Sequence, residues 1–552
     1  MHCVILGWHM HQPEYRDPAT GRYTLPWVYL HALKDYTDMA WHLEQVPAAC
    51  AVVNWSPVLL EQIEDLAQRV PAALAGETPW PDPVLEVLAA GQPPADDTEL
   101  HRWLHWGLRA HPERQMARHP RYHDLACRAR AVLDGAMDAS HAAENDPDWA
   151  MELLTWQHLA WLGESLLDDP RTQRCMQQPA NPDARAGLLE LMAETFADIL
   201  PRWRRLVESG QVELCVTPYA HPIVPLLIDF QTQREARPDS GLPAHDHYPD
   251  GAARARWHLD RARESMQQVF GRVPMGCWPS EGGVSTEAAQ MMFDAGFDWI
   301  ATGTGVLRHT LGEHFAEGHS SHYVYRLAEG PRVLFRNDHL SDEIGFVYQW
   351  REGAQAADEL VGHLAGIAEY HNSDGLTLIF LDGENAWEFY PDNAREFLSS
   401  LYRQLVEHPR LRLTTPGDCL DALPERDLDH LVAGSWVYGS FDTWMGHPDK
   451  LAAWDRLCEA KRIADAAPDS PELRRQLAIC EGSDWFWWPG DDNPGPAVQA
   501  FDALYRLQLG HLYRLAGHEP PPELAAPIIG PAAHGTEPLD TDGDGGAMRR
   551  SQ

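Results

Sequence analysis

The chain has 552 residues, 44% apolar and 23% charged, a globular balance that excludes both a wholly disordered and a membrane-embedded chain. Its 44 basic and 82 acidic side chains leave a net charge of −38, which repels phosphate backbones and anionic lipid and argues against nucleic acid or membrane as partners. Only Lys34, Lys450 and Lys461 are lysines; the acidic excess points to a salt-rich host, while a GC-rich genome accounts equally well for the missing lysine alone.

Met1-His2-Cys3-Val4-Ile5-Leu6 lacks the basic start and long apolar centre of a secretory signal. The nine cysteines are scattered, odd in number and free of any C-x-x-C spacing, as expected of reduced, mostly buried thiols. Both features predict a cytoplasmic protein.

Short, almost continuously apolar runs recur along the chain at Cys3–Leu6, Cys50–Val53, Val212–Val216, Met275–Trp278, Trp299–Thr302, Val333–Phe335 and Leu376–Leu381. Unbroken apolarity suits strands covered on both faces, so the fold class is α/β, a seven-stranded parallel barrel. About 150 residues separate the second run from the third, and a helical insertion is expected over about 60–205. Beyond Pro391 the spacing of Phe397, Leu398, Leu401 and Leu405, then Trp454, Leu457 and Ile463, is mostly helical. The expected organisation is a barrel over 1–395, a helical domain over 396–518 and a flexible Pro/Gly/Asp-rich tail over 519–552. Within the tail, Thr541 to Gly546 resembles half a calcium loop but lacks the closing Glu, and disorder is the preferred reading.

Polar groups gather where the runs end, which in a parallel barrel is where chemistry resides. The first run leads into His9-Met10-His11-Gln12-Pro13, the second into Asn54-Trp55-Ser56-Pro57, and the third into Thr217-Pro218-Tyr219-Ala220-His221. The fourth ends Trp278-Pro279-Ser280-Glu281-Gly282-Gly283 and the last Asp382-Gly383-Glu384-Asn385-Ala386-Trp387. On a strand His9 and His11 share a face. Glu281 and Asp382 follow apolar strands whose ends converge in a closed barrel, so two carboxylates remote in sequence flank one site. A carboxylate pair beside aromatic platforms is what glycosidic cleavage requires, and Trp278 and Trp387 are the candidate platforms. For a single Asp at a strand end, a helix N-cap explains the residue as well.

His-Met-His-Gln-Pro at 9–13, Gly210-Gln211-Val212-Glu213 with His221-Pro222, Trp278-Pro279-Ser280-Glu281 and Asp382-Gly383-Glu384-Asn385 resemble, in order, the signature regions of glycoside hydrolase family 57. Gly434-Ser435-Trp436 and Ser483-Asp484-Trp485 extend the resemblance toward its amylopullulanase and α-amylase branch. The resemblance implies a (β/α)7 barrel followed by a helical domain, retaining action on α-glucans, and no cofactor or metal. Carried onto matching positions, it makes Glu281 the nucleophile and Asp382 the general acid/base. His9, His11, Glu213 and His221 would line the sugar subsite, with Glu384 in support and Trp436, Asp484 and Trp485 closing the cleft from the helical part. Two departures bear on subsites: Gly303-Thr304 stands where an acidic pair is expected, and Asn337-Asp338 where the family tends to place Asp.

The leading expectation is hydrolysis of α-1,4 bonds, with α-1,6 branch bonds as a further target, in glycogen, starch or maltodextrin. A 4-α-glucanotransferase or branching enzyme would use the same glycosyl-enzyme. A metal-dependent hydrolase or deacetylase built on His9, His11, His221 and Asp382 is the alternative from another mechanistic class. A silent glucan-binding protein is the third reading, against which the presence of both carboxylates argues.

Overall fold

The computed structural model describes residues 1–144, 146–371, 375–491, 493 and 495–530. Ten strands are assigned among them: β1 (His2–Met10), β2 (Ala51–Trp55), β3 (Val212–Val216), β4 (Gly276–Cys277), β5 (Trp299–Gly303), β6 (Val324–Leu327), β7 (Arg332–Arg336), β8 (Leu376–Asp382), β9 (Leu411–Leu413) and β10 (Glu425–Leu428). Seven of them, in the order β1-β2-β3-β4-β5-β7-β8, close on themselves through parallel pairings, with β8 returning to β1. These are the seven apolar runs of the sequence. β1 is buried at every position, as a strand covered by helices outside and side chains inside must be. Within the barrel, Trp278 stacks on Phe380 with ring centroids 4.0 Å apart and planes 3° from parallel, an aromatic floor beneath the site.

β6, β9 and β10 escape sequence reading because each is only three or four residues long. β10 reads Glu-Arg-Asp-Leu with only the leucine buried. β9 has three residues and extends the sheet beside the first half of β1, at His2 to Val4. β6 runs antiparallel to β7, outside the closed ring.

The stretch between β2 and β3 is helical, as expected, and holds the 27-residue helix Pro182–Glu208, about 40 Å long at 1.5 Å per residue. It packs along the helices Pro57–Leu74 and Trp27–Gln45. The helical region beyond the barrel begins later than 396. Helix Arg395–Glu407 lies against helix Gly353–His371 on the barrel wall, and β9 and β10 still belong to the sheet, so helices free of the sheet start at Pro448. Residues 519–530, expected in the flexible tail, are packed: Ile528 N–H donates to Asp502 Oδ1 at 2.9 Å, Gly530 N–H to Asp449 Oδ1 at 3.0 Å, and Leu524 and Ile529 are buried. The half calcium loop at 541–546 lies outside the described residues.

Candidate active site

The barrel register sets the site. His9 pairs across to Asp382 on β8 and to Asn54 on β2, so one imidazole stands between a carboxylate and an amide at the C-terminal rim. Glu281, in the turn after β4, is buried and adopts φ 57°, ψ 23°, the left-handed region that a side chain disfavours. His221 after β3 does the same at φ 60°. Two non-glycine residues in this conformation, at a cost of order 1–3 kcal/mol each, mark a place where surrounding contacts dictate backbone shape.

Those contacts come from the region after the barrel. Trp436 N–H donates to the Glu281 carbonyl at 3.0 Å, and its indole Nε1–H to Glu281 Oε2 at 3.0 Å. Ser483 N–H donates to the His221 carbonyl at 2.9 Å. Asn54 donates to His9 Nδ1 at 2.8 Å, which leaves the His9 proton on Nε2, facing His221 Nε2 at 3.1 Å. His221 Nδ1–H then donates to Ser483 Oγ at 2.8 Å and lies 3.8 Å from Glu281 Oε1. Burial, reinforced by neighbouring imidazoles, holds His9 and His221 well below the usual histidine range, hence neutral. His11 stacks on His221 at 3.8 Å, with its Nδ1 2.8 Å from Ser56 Oγ and its Nε2 3.0 Å from Asp484.

Burial drives the Glu281 carboxyl well above its ordinary range, and the nearby charges of Asp382 and Asp484 push the same way against the Trp436 hydrogen bond. Asp382 is also raised by burial, opposed by Asn385, Arg336 and His11. The charge of Asp382 thus disfavours ionisation of Glu281.

Glu384 is buried behind the pair. Gln12 donates to it at 2.7 Å and Tyr36 donates to its other oxygen, yet burial keeps its carboxyl far up. Other expected contacts lie elsewhere. Glu213 sits near the start of β3, at the opposite end of the barrel, where Oε2 accepts from Gly417 N–H at 2.7 Å and Oε1 from Trp299 Nε1–H at 3.2 Å. Trp485 stacks on Tyr505 in the helical core, its N–H bonded to the Ile479 carbonyl. Trp387 is buried against Trp8 and donates to the Gly383 carbonyl at 2.8 Å, bracing the loop after Asp382. Trp278 is fully buried and serves as floor. Of the four tryptophans, Trp436 alone bonds a carboxyl of the pair.

Asn54, Ser56, Tyr36, Ser483 and Arg336 were not singled out by sequence. Asn54 and Ser56 sit two apart at the end of β2, the same period that picked out His9 and His11, so that signal was available. Arg336, at the end of β7, is buried, lies 4.8 Å over the Trp436 ring and donates to the Phe380 carbonyl at 3.1 Å. Ser483 lies within the Ser483-Asp484-Trp485 motif but carries no role there, and Tyr36, from helix Trp27–Gln45, leaves no local trace.

Among the described residues, one group has metal-ligand chemistry: His11, His221 and Asp484, whose ligand atoms lie within 4.8 Å of one another. His9 and Asp382, assigned to a metal site by the alternative sequence reading, are not in it. His11 Nδ1 and both His221 nitrogens already have partners outside this group at 2.8–3.1 Å, while His11 Nε2 faces Asp484 itself.

The glycosyl hydrolase family 57 model matches residues 5–433. A Methanocaldococcus jannaschii protein named "Putative alpha-amylase" is 25% identical over 285 residues, 49% of this chain and 53% of that relative, so the chain spans about half the length of the curated relative it matches. Among solved structures, a GH57-type branching enzyme of Pyrococcus horikoshii aligns over 99% of this chain and all of its own, with a TM-score of 0.55 and 14% identity. The alpha-amylase AmyC of Thermotoga maritima gives 0.55 at 11% identity, covering 96% of this chain and 95% of that one. The 4-alpha-glucanotransferase of Thermococcus litoralis gives 0.51 at 13%, covering 93% and 60%. At these identities the structural likeness is one of fold, and it is the family match over most of the barrel that places this chain in glycosyl hydrolase family 57.

Proposed function

We propose that the chain is a retaining α-glucan-acting glycoside hydrolase, cleaving α-1,4 bonds, and α-1,6 bonds where they are presented, in glycogen, starch or maltodextrin. The observation that carries the reading is the carboxyl pair at one barrel rim, buried Glu281 after β4 and half-buried Asp382 at the end of β8, with Trp436 and His221 beside Glu281. In the first step the Glu281 carboxylate bonds to the anomeric carbon while Asp382 gives its proton to the departing glycosidic oxygen. In the second, Asp382 takes a proton from water, whose oxygen displaces Glu281 and restores the carboxylate. Neutral His9 and His221, bonded to each other and to Asn54 and Ser483, line the site without placing a positive charge beside the sugar cation. Free thiols, with Cys127 exposed and Cys50 half-buried, suit a cytoplasmic setting.

The test is a product profile on maltoheptaose, amylose and pullulan, with proton NMR of freshly released sugar. Shorter products carrying the α-anomer first are expected. Initial β-anomer would overturn the double displacement, and products longer than the substrate would make the enzyme a transferase working through the same intermediate. Activity lost in EDTA and restored by zinc would instead favour the metal reading.

A further inference from the structure

The glycines at 303 and 305 have a packing role. A Cβ on Gly303 would stand 2.7 Å from Trp436 Cα, and one on Gly305 2.9 Å from Gly439 N, so the loop 434–440 sits directly on the backbone after β5. Gly434 and Val284 exchange both backbone hydrogen bonds at 2.9 and 3.0 Å, and Ser435 Oγ–H donates to the Ser440 carbonyl at 2.7 Å. The loop is thus fixed to the segment that carries Glu281. It turns Trp436 inward to the nucleophile, and two residues later it leaves Tyr438 57% exposed on the rim.

Tyr438 holds φ 55°. Glycine would take that conformation freely, as the next residue Gly439 does at φ 66°. A bulky residue kept at a disfavoured dihedral, exposed, on a loop locked to the nucleophile, points to a task for its ring. The chemistry of an exposed phenol ring, flat and apolar on its face, fits the C–H face of a pyranose. A neutral polysaccharide also escapes the repulsion that −38 net charge imposes on anions.

We propose that Tyr438 is a carbohydrate platform at the rim, stacking on a glucose unit beyond the cleaved bond and setting the enzyme's preference for longer chains. The proposal rests on the α-glucan reading above. It is tested by calorimetric binding of maltotriose and maltoheptaose to Glu281→Gln protein bearing Tyr438→Phe, Tyr438→Ala or Tyr438→Gly. Loss of the ring should weaken maltoheptaose about 3- to 10-fold and maltotriose less, while Tyr438→Phe should bind like its parent. Tyr438→Gly should also raise the thermal midpoint, because it relieves the backbone, which separates lost binding from lost folding. Undiminished maltoheptaose binding in the Gly and Ala variants, or an equal loss in Tyr438→Phe, overturns the platform. A parent Glu281→Gln protein that binds neither sugar overturns the α-glucan reading itself.

Discussion

Glu281 illustrates a conflict between stability and function in one side chain. Its folded carboxyl is held well above the ordinary value of 4.5 by burial and by Asp382 and Asp484. Between 4.5 and that raised value the native state keeps a proton that the unfolded chain has released, so this group makes stability fall as pH rises. Glu281→Gln keeps the shape and removes the ionisation. It should therefore raise the thermal midpoint at pH 7, with the gain vanishing below about pH 4, where both states of the wild type are protonated. The same variant should lose at least ~10³ in turnover, a barrier increase of about 4 kcal/mol, if Glu281 is the nucleophile proposed above. Near-normal turnover, or a midpoint that falls at pH 7, would count against the assignment. Asp382→Asn should act on Glu281 in turn: with one negative neighbour removed, Glu281 should ionise at lower pH. The pH profile of covalent trapping by an activated glycosyl fluoride reads this directly, and a profile that moves upward would refute the coupling.

At the scale of elements, what could be read in advance divides along burial. The seven barrel strands were legible because both faces are covered and their apolarity is unbroken. β10, with three exposed polar residues in four, carries no such mark. In the site, Glu281, Asp382, His9 and His11 were legible because strand ends in a closed barrel converge. Glu213 shows the limit: the motif was found, but three residues of strand separate it from the rim that Val216 approaches, and its partners are Gly417 and Trp299. The docking of the later helices was equally hidden, since it depends on buried ions. Glu481 is fully buried and receives Arg254 Nη2 at 2.7 Å, His258 Nε2 at 2.8 Å and Tyr248 Oη at 2.6 Å, joining helix Gly251–Phe270 to the segment that delivers Ser483 and Asp484. Burial would raise its carboxyl, but Arg254 and His258 pull it down to about 2. Its contribution is present above the ordinary 4.5 and is lost as pH falls toward 2. Arg254→Met should cost about 3–5 kcal/mol at pH 7, because it leaves a buried anion without its guanidinium. The cost should shrink at pH 3, where Glu481 can take a proton. Urea midpoints of both proteins at the two pH values check this, and an equal loss at both would mean that packing, not charge, holds the joint.

Across the whole molecule the charge distribution is more lopsided than its sum of −38 suggests. Each of the three lysines is buried: Lys34 is 0% exposed, Lys461 2% and Lys450 3%. No lysine therefore remains at the surface, where positive charge is left to arginine. Salt acts on such a surface in two opposing ways. It weakens surface ion pairs such as Arg326–Glu425 and Arg410–Glu369, each worth at most about 1 kcal/mol. It also screens the mutual repulsion of the acidic excess. Spread over a sphere of roughly 30 Å radius, −38 charges repel with on the order of 20 kcal/mol at 0.1 M and less than half of that at 2 M, as the Debye length shrinks from about 10 Å to under 3 Å. The unfolded chain carries the same charges further apart, so only part of this difference reaches stability, but that part exceeds what a few exposed pairs can lose. The thermal midpoint should accordingly rise between about 0.1 and 2 M KCl. Sodium chloride at equal ionic strength should do nearly the same, since screening depends on charge and not on ion identity. A midpoint that falls steadily over that range would show the ion pairs to be the larger effect, and would remove the argument for a saline host.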